Sequence, residues 1–201
     1  IAKDVKVQVE FNPAQVEAYR LIGYENRILA KEDFNDDTKD AGEIGAGHTV
    51  TALYELVPAG VEQDRPGVDP LRYQVEPQPE LRDAAKAGEA LTVKLRYKAP
   101  DGEKSKLLAF PVEDRAQSFA SAGDDFQFAA AVAAFGMLLR GSEYAGQANF
   151  DTVAEWTESA LGEDKHGYRQ EFLGLVGKAK VLGPNWPEPA SRPVQRDRGT
   201  R

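Results

Sequence analysis

The chain opens with a two-residue alternation of apolar and polar positions. Val5, Val7, Val9 and Phe11 alternate with Lys6, Gln8 and Glu10, the pattern of a strand that buries one face. Asn12-Pro13 breaks the run, and Val16 to Arg27 is expected to return as a second, antiparallel strand. A third strand is predicted over Thr49 to Val57, where Val50, Ala52, Tyr54 and Leu56 stand against Thr51, Leu53 and Glu55. The cleanest alternation sets Leu91, Val93, Leu95 and Tyr97 against Thr92, Lys94, Arg96 and Lys98. Asp101-Gly102 is a turn signal, and Lys106 to Val112 follows as the hairpin partner. Between the third and fourth strands, Pro58 to Gly88 is rich in proline and is expected to be an irregular excursion with a helical turn near Leu81 to Lys86.

The second half changes to helical spacing. Phe128, Val132, Phe135 and Leu139 fall on one face of a helix. Ser121 with Asp124 resembles a capping box, and Gly141 is placed to end that helix. A second helix is predicted over Asp151 to Leu161, with Val153, Trp156 and Leu161 as its contacts. A third carries Tyr168, Phe172, Leu175, Ala179 and Leu182 before Gly183-Pro184 stops it. The tail from Asn185 to Arg201 has prolines and arginines but few apolar residues, and disorder is expected there. The fold class is therefore α+β: an antiparallel β-sandwich or sheet of about five strands over residues 1–116, then a helical region over 120–183 packed on it, then a tail over 184–201.

Composition narrows the function. The 201 residues hold 33 acidic against 25 basic side chains, a formal net charge of -8. Nucleic acid binding needs a clustered basic surface and is not expected. The chain has no cysteine, which excludes disulfides, thiolate metal sites and a cysteine nucleophile. No apolar run approaches the roughly 20 residues of a membrane span, and the alanine-rich Phe126 to Leu139 is expected to be a buried core helix. The first residue is Ile1 and no signal peptide precedes it, so any targeting signal is expected upstream.

The sharpest chemical candidate is the acidic loop with Asp33, Asn35, Asp36, Asp37, Asp40 and Glu43. Calcium takes six to eight oxygen ligands, and Asp33, Asn35 and Asp37 have the alternate spacing that starts an EF-hand. The match then fails, with Thr38 where that motif needs glycine and Ile44 where it needs a bidentate Glu. A different calcium loop built from Asp33, Asn35, Asp37, Asp40 and Glu43 is the alternative to a solvated, turn-forming loop. Gly42, Gly45 and Gly47 lack the Gly-Lys-Ser/Thr of a phosphate loop and suit a bulge or close backbone approach. His48 and His166 are isolated, and Ser118, Ser121, Ser142 and Ser159 have no nucleophile-elbow setting. No catalytic residue is assigned. Arg20, Glu25, Asn26 and Arg27 suit a solvent face with cross-strand pairs, or a contact surface for another domain.

Three segments together carry a family resemblance: VKVQVEFNPAQVEAYRLIGYENR from Val5, DFNDDTKDAGEIGAGHTVTALYELVP from Asp33, and DFQFAAAVAAFGMLLR from Asp125. Over roughly residues 1–182 the chain resembles the C-terminal domain of unknown function that follows the von Willebrand A domain in YfbK-type bacterial proteins. The resemblance implies an export or lipoprotein signal, a short N-terminal region and an A domain with its metal-dependent adhesion site, all upstream. That site needs Asp-x-Ser-x-Ser, which does not occur here, so it transfers to no residue of this chain. The expected function is a non-enzymatic accessory or interaction domain of an extracytoplasmic protein. Its partners are the upstream A domain and other envelope proteins, and its sheet is expected to accept a strand from the region before that domain. The alternatives are a calcium- or other cation-binding module using the acidic loop and, more weakly, a hydrolase using His48.

Overall fold

The computed structural model describes residues 1–23, 29–61 and 81–183. The chain divides into two compact units, Ile1–Ala116 and Gln117–Arg201. The first holds the strands β1 (Ala2–Phe11), β2 (Val16–Ile22), β3 (Gly42–Ile44), β4 (Leu53–Pro58), β5 (Glu89–Lys98) and β6 (Lys106–Glu113). The second holds the helices α1 (Asp124–Leu139), α2 (Phe150–Ser159) and α3 (Tyr168–Leu182). This is the α+β class that the two periodicities indicate.

The strands form a four-stranded antiparallel sheet, in the order β3-β1-β5-β6, and a separate β2-β4 ribbon. The turn at Asn12 therefore does not make a hairpin of β1 and β2; it hands the chain to the second sheet. Asn12 itself explains this. Its backbone N–H donates to the Ala90 carbonyl at 2.9 Å, and its side-chain amide donates to the Ala85 carbonyl at 2.9 Å and to the Glu89 carbonyl. The end of β1 is thus tied to the start of β5, and β2 pairs with β4 instead. Arg20 meets Glu55 across that ribbon at 2.5 Å, whereas Glu25, Asn26 and Arg27 lie outside the described residues. Phe11 stacks on Tyr19 at 4.1 Å and meets Tyr54 edge-on at 5.3 Å, joining ribbon to sheet.

Two strand boundaries depart from the periodicity. β4 begins at Leu53 rather than Thr49, because regular pairing starts only where Leu53 meets Ile22. The glycine-rich stretch contributes β3, three residues long, whose Gly42 lies opposite Val5. The β5-β6 hairpin forms as its turn residues require, with the Gly102 N–H donating to the Ala99 carbonyl at 2.9 Å. A 3₁₀ turn occupies Asp83–Lys86; residues 62–80 of the proline-rich excursion, and the tail from Pro184, lie outside the described residues.

A bulge near the start of β1 sets the side-chain faces. Lys3 pairs with Lys98 and Lys6 with Arg96, so Asp4 and Val5 together oppose Tyr97. Asp4 has φ 52°, a left-handed conformation that Asp tolerates better than most residues. Beyond the bulge the faces run opposite to the usual expectation. Lys6 is only 4% exposed, whereas Val7 is 59% exposed. The alternation is real, but the covered face is the polar one.

In the helical unit, α1 packs on α2 and α2 on α3. Ala131, Ala134, Val153 and Val176 form the core, with Phe135, Phe150, Trp156 and Phe172 packed around them. The Phe172 ring meets Phe128 at 5.4 Å and Phe135 at 5.2 Å. Val132, Leu175 and Leu182 are exposed instead of lining the contact, because closely crossing helices bury the small Ala131 and Ala134 and turn Val132 outward. No capping box forms at α1. Its N-cap is Gly123, without a side-chain bond, while the Ser121 hydroxyl donates to the Ser118 carbonyl. The other end closes as expected. Gly141 has φ 59°, its N–H donates to the Leu138 carbonyl, and the Ser142 N–H donates to that of Met137, a Schellman closure. At α2 the Asn149 side chain accepts the Thr152 N–H at 2.9 Å. We expect Val153→Ala to destabilise the chain by roughly 2 kcal/mol and Val132→Ala by less than about 0.5 kcal/mol in denaturant titrations; equal losses would contradict this helix orientation.

Candidate functional site

The acidic loop closes over basic side chains on the covered face of the sheet. It begins with a 3₁₀ turn, Lys31–Phe34, whose Phe34 is 5% exposed and anchors the segment. The Lys6 ammonium donates to the backbone carbonyls of Asp33 at 3.0 Å and Asp36 at 2.5 Å. The Lys98 ammonium donates to the Asp37 carbonyl and to the Asp4 carboxylate, both at 2.7 Å. Arg96 donates to the Asn35 side-chain oxygen and the Ser105 hydroxyl at 2.9 Å, with its guanidinium 5.5 Å from the Phe34 ring centre. An ammonium taken out of water needs oxygen partners, and the loop supplies them from carbonyls aimed inward.

This arrangement accounts for most of the proposed cation ligands. Asn35 is engaged by Arg96, and the Asp37 carboxylate accepts the Ser105 N–H at 3.3 Å. The Asp33 carboxylate stands 3.8 Å from the Lys39 ammonium. Asp40 is exposed beside Asp4 and Lys98, and Glu43 is exposed on β3. Among the described residues, no group of three or more His, Asp or Glu side chains is placed to hold a metal ion. The segment gathers oxygens, and they face lysine and arginine.

The titration behaviour follows from these bonds. The Lys98 ammonium holds the Asp4 carboxyl below its usual range, helped by the Ala41 N–H. Asp36 is lowered chiefly by the Thr38 hydroxyl and Asp37 by Ser105. Reciprocally, Asp4 raises the Lys98 ammonium above the ordinary lysine value. Lys6, Arg96 and Lys98 were legible only as the polar side of two strands. The available signal was their position on one sheet face of a chain that also holds a dense acidic loop.

The opposite face is apolar, and within the β unit it is covered by the ribbon at Phe11 and exposed at Val7 and Phe110. Across β1, β5 and β6 the register sets Phe11, Leu91 and Val112 in one row, Val9, Val93 and Phe110 in the next, and Val7, Leu95 and Leu108 in the third. None of these side chains is buried. Phe110 is 52% exposed, and every residue of β6 is exposed.

The two histidines belong to different units. His48 is exposed in a turn closed by its N–H to the Gly45 carbonyl at 3.4 Å. His166 packs its ring 5.6 Å from Tyr168 in the helical unit, beside a cleft of about 390 Å³ lined by Asp124, Gly162, Asp164 and Arg169. Those groups are structural there. The Asp164 carboxylate accepts the Arg169 and Gln170 N–H groups at the start of α3, which lowers its pKa. Arg169 donates to the Ala160 carbonyl at 2.6 Å and pairs with Asp125. No helix among the described residues is long and apolar enough to cross a membrane.

The profile of the family described as "Uncharacterized protein YfbK, C-terminal" matches residues 1–182. The uncharacterised protein YfbK of Escherichia coli (strain K12) is 44% identical over 176 residues, covering 88% of this chain and 29% of that protein. The chain thus spans less than a third of the relative's length. No solved structure matches.

Three outcomes are expected from the loop. Lowered carboxylates contribute stability that is present above their unfolded pKa and lost as pH falls through the folded one. Thermal melts should therefore hold from pH 7 to about 5 and drop below about pH 4, and a melt unchanged down to pH 2.5 would contradict the contacts. Lys6→Met should lower the melting temperature by roughly 5 °C or more, through two carbonyls left without a donor. Millimolar calcium should neither raise the melting temperature of the unsubstituted chain nor release heat in calorimetry.

Proposed function

The chain belongs to the family of the YfbK C-terminal region, and from that premise we propose that it is a non-enzymatic interaction module of a longer bacterial protein. The observation that carries this reading is the open apolar face of the β3-β1-β5-β6 sheet. A sheet gains its stability by removing its apolar face from water. Here β1, β5 and β6 carry such a face, and within the β unit Val7, Leu108 and Phe110 on it are exposed. A surface of this kind suits association better than it suits chemistry on a small substrate, which calls for a concave site with convergent polar groups.

The identity of the neighbouring parts rests on resemblance. The resemblance carried by those three segments implies a von Willebrand A domain upstream and an export or lipoprotein signal before it. The module then works outside the cytoplasm, beside a domain whose own metal site binds ligands. The acidic loop serves that role indirectly: by satisfying Lys6 and Lys98 it keeps the polar face occupied and leaves the apolar face for association.

The uncharged dye Nile red tests whether the face is open. We expect this chain to bind the dye, and Val7→Glu with Phe110→Glu to remove most of the fluorescence while shifting the melting temperature by less than about 3 °C. Absent dye binding, or a loss of folding in the double variant, would mean that the face is already core and would contradict the reading.

A further inference from the structure

Independently of that reading, we infer that residues 30–40 form a lid over the polar face of the sheet, which lifts and recloses as one piece with Phe34 as its latch. Three observations lead there. The first is that the segment is built as a unit. The Asp33 N–H donates to the Ala30 carbonyl at 3.0 Å, and the Asp36 and Lys39 N–H groups donate to the carbonyls of Asp33 and Asp36 at 3.3 Å. The Asp36 carboxylate accepts the Thr38 N–H at 2.9 Å and the Thr38 hydroxyl at 2.7 Å. All of these bonds lie inside the segment, so they survive when it moves away from the sheet.

The second is what holds it down. Among residues 32–40 only Phe34 is buried. The other ties are hydrogen bonds from Lys6, Lys98 and Arg96 and from the Ser105 N–H. When the segment lifts, water takes up both the freed cations and the freed oxygens, so these bonds are exchanged and each contributes only a small net amount. The Phe34 ring has no such replacement in water. It is the single contact whose loss falls wholly on the closed state.

The third is what the lid leaves intact. β1 and β5 stay paired beneath it, from Lys6 opposite Arg96 to Phe11 opposite Leu91, through backbone bonds in which the segment takes no part. Its own link to the sheet is β3, which meets β1 at Ala2 with Ile44 and at Val5 with Gly42. Opening is therefore a local event that costs less than unfolding the β unit. Closed, the lid keeps Lys6 and Lys98 buried; open, it presents Lys6, Arg96 and Lys98 together on two adjacent strands.

Acetylation of lysines in the 201-residue chain, read by mass spectrometry, tests this. Lys165, with a side chain 77% exposed, sets the rate of an accessible amine. Lys6 and Lys98 should react roughly a hundredfold or more slowly than Lys165, at rates nearly independent of urea below the unfolding transition. Phe34→Ala should raise both rates by one common factor of about tenfold or more and leave Lys165 unchanged. Phe34→Leu, which keeps most of the volume and guards against a failure of the first variant to fold, should raise both by about fivefold. Factors differing by more than about twofold between the two lysines, or no acceleration at either, would overturn the inference. So would rates equal to that of Lys165 in the unsubstituted chain, or rates that climb with urea in parallel with global unfolding.

Discussion

An ammonium group withdrawn from water must be met by oxygen atoms, and in this protein that requirement organises the whole β unit. Lys6 and Lys98 point from neighbouring strands into the same side of the sheet, where solvent is excluded. Their partners come from a single excursion of the chain, the carbonyls of Asp33, Asp36 and Asp37, together with the Asp4 carboxylate. Phe34 adds an apolar anchor beneath Arg96. Losing either lysine would leave inward-facing carbonyls without donors, so the loop and the strands depend on one another. The bulge at Asp4 belongs to the same device. Its left-handed backbone brings a carboxylate to Lys98 that a regular strand would not place there.

Within the β unit, covering Lys6 and Lys98 leaves Val7, Leu108 and Phe110 exposed on the other face, while the ribbon covers that face at Phe11. Hydrophobic burial normally decides which side of a sheet faces inward. Here the loop's hydrogen bonds to the lysines oppose that preference. The inward carbonyls of the acidic segment solvate Lys6 and Lys98 and tie the segment to the sheet. The chain matches less than a third of a longer relative.

Much of the fold was legible in the order of residues. The alternations in β1 and β5 marked strands, Asp101-Gly102 marked the β5-β6 hairpin, and the aromatic spacing of Phe128 and Phe135 marked α1. What stayed hidden depended on contacts distant in sequence. Nothing local to Asn12 shows that its amide will reach Ala85 and Glu89, which is what sends β2 to a separate sheet. Binary patterning assumes that valine goes in and lysine out, and that assumption fails at Lys6 and Val7 because the carbonyls that accept from the lysine lie some 30 positions away. The helix stripes were misread for a related reason. Small alanines such as Ala131 and Ala134 carry the closest packing, while bulkier neighbours face out. In the candidate site, the acidic residues were identified from their density, but their partners were not, since a pair is invisible until the fold brings its members together.

The central claim is that the sheet covers its charged face and exposes its apolar one. The most direct measurement is the broadening of methyl NMR signals by a soluble nitroxide in this chain. The account requires strong broadening at Val7, Val93 and Leu108 and little at Val153 and Val176, which the helical core buries. It also requires slowly exchanging ammonium signals from Lys6 and Lys98. Methyls of Val7, Val93 and Leu108 as protected as those of Val153, with freely exchanging lysines, would contradict it.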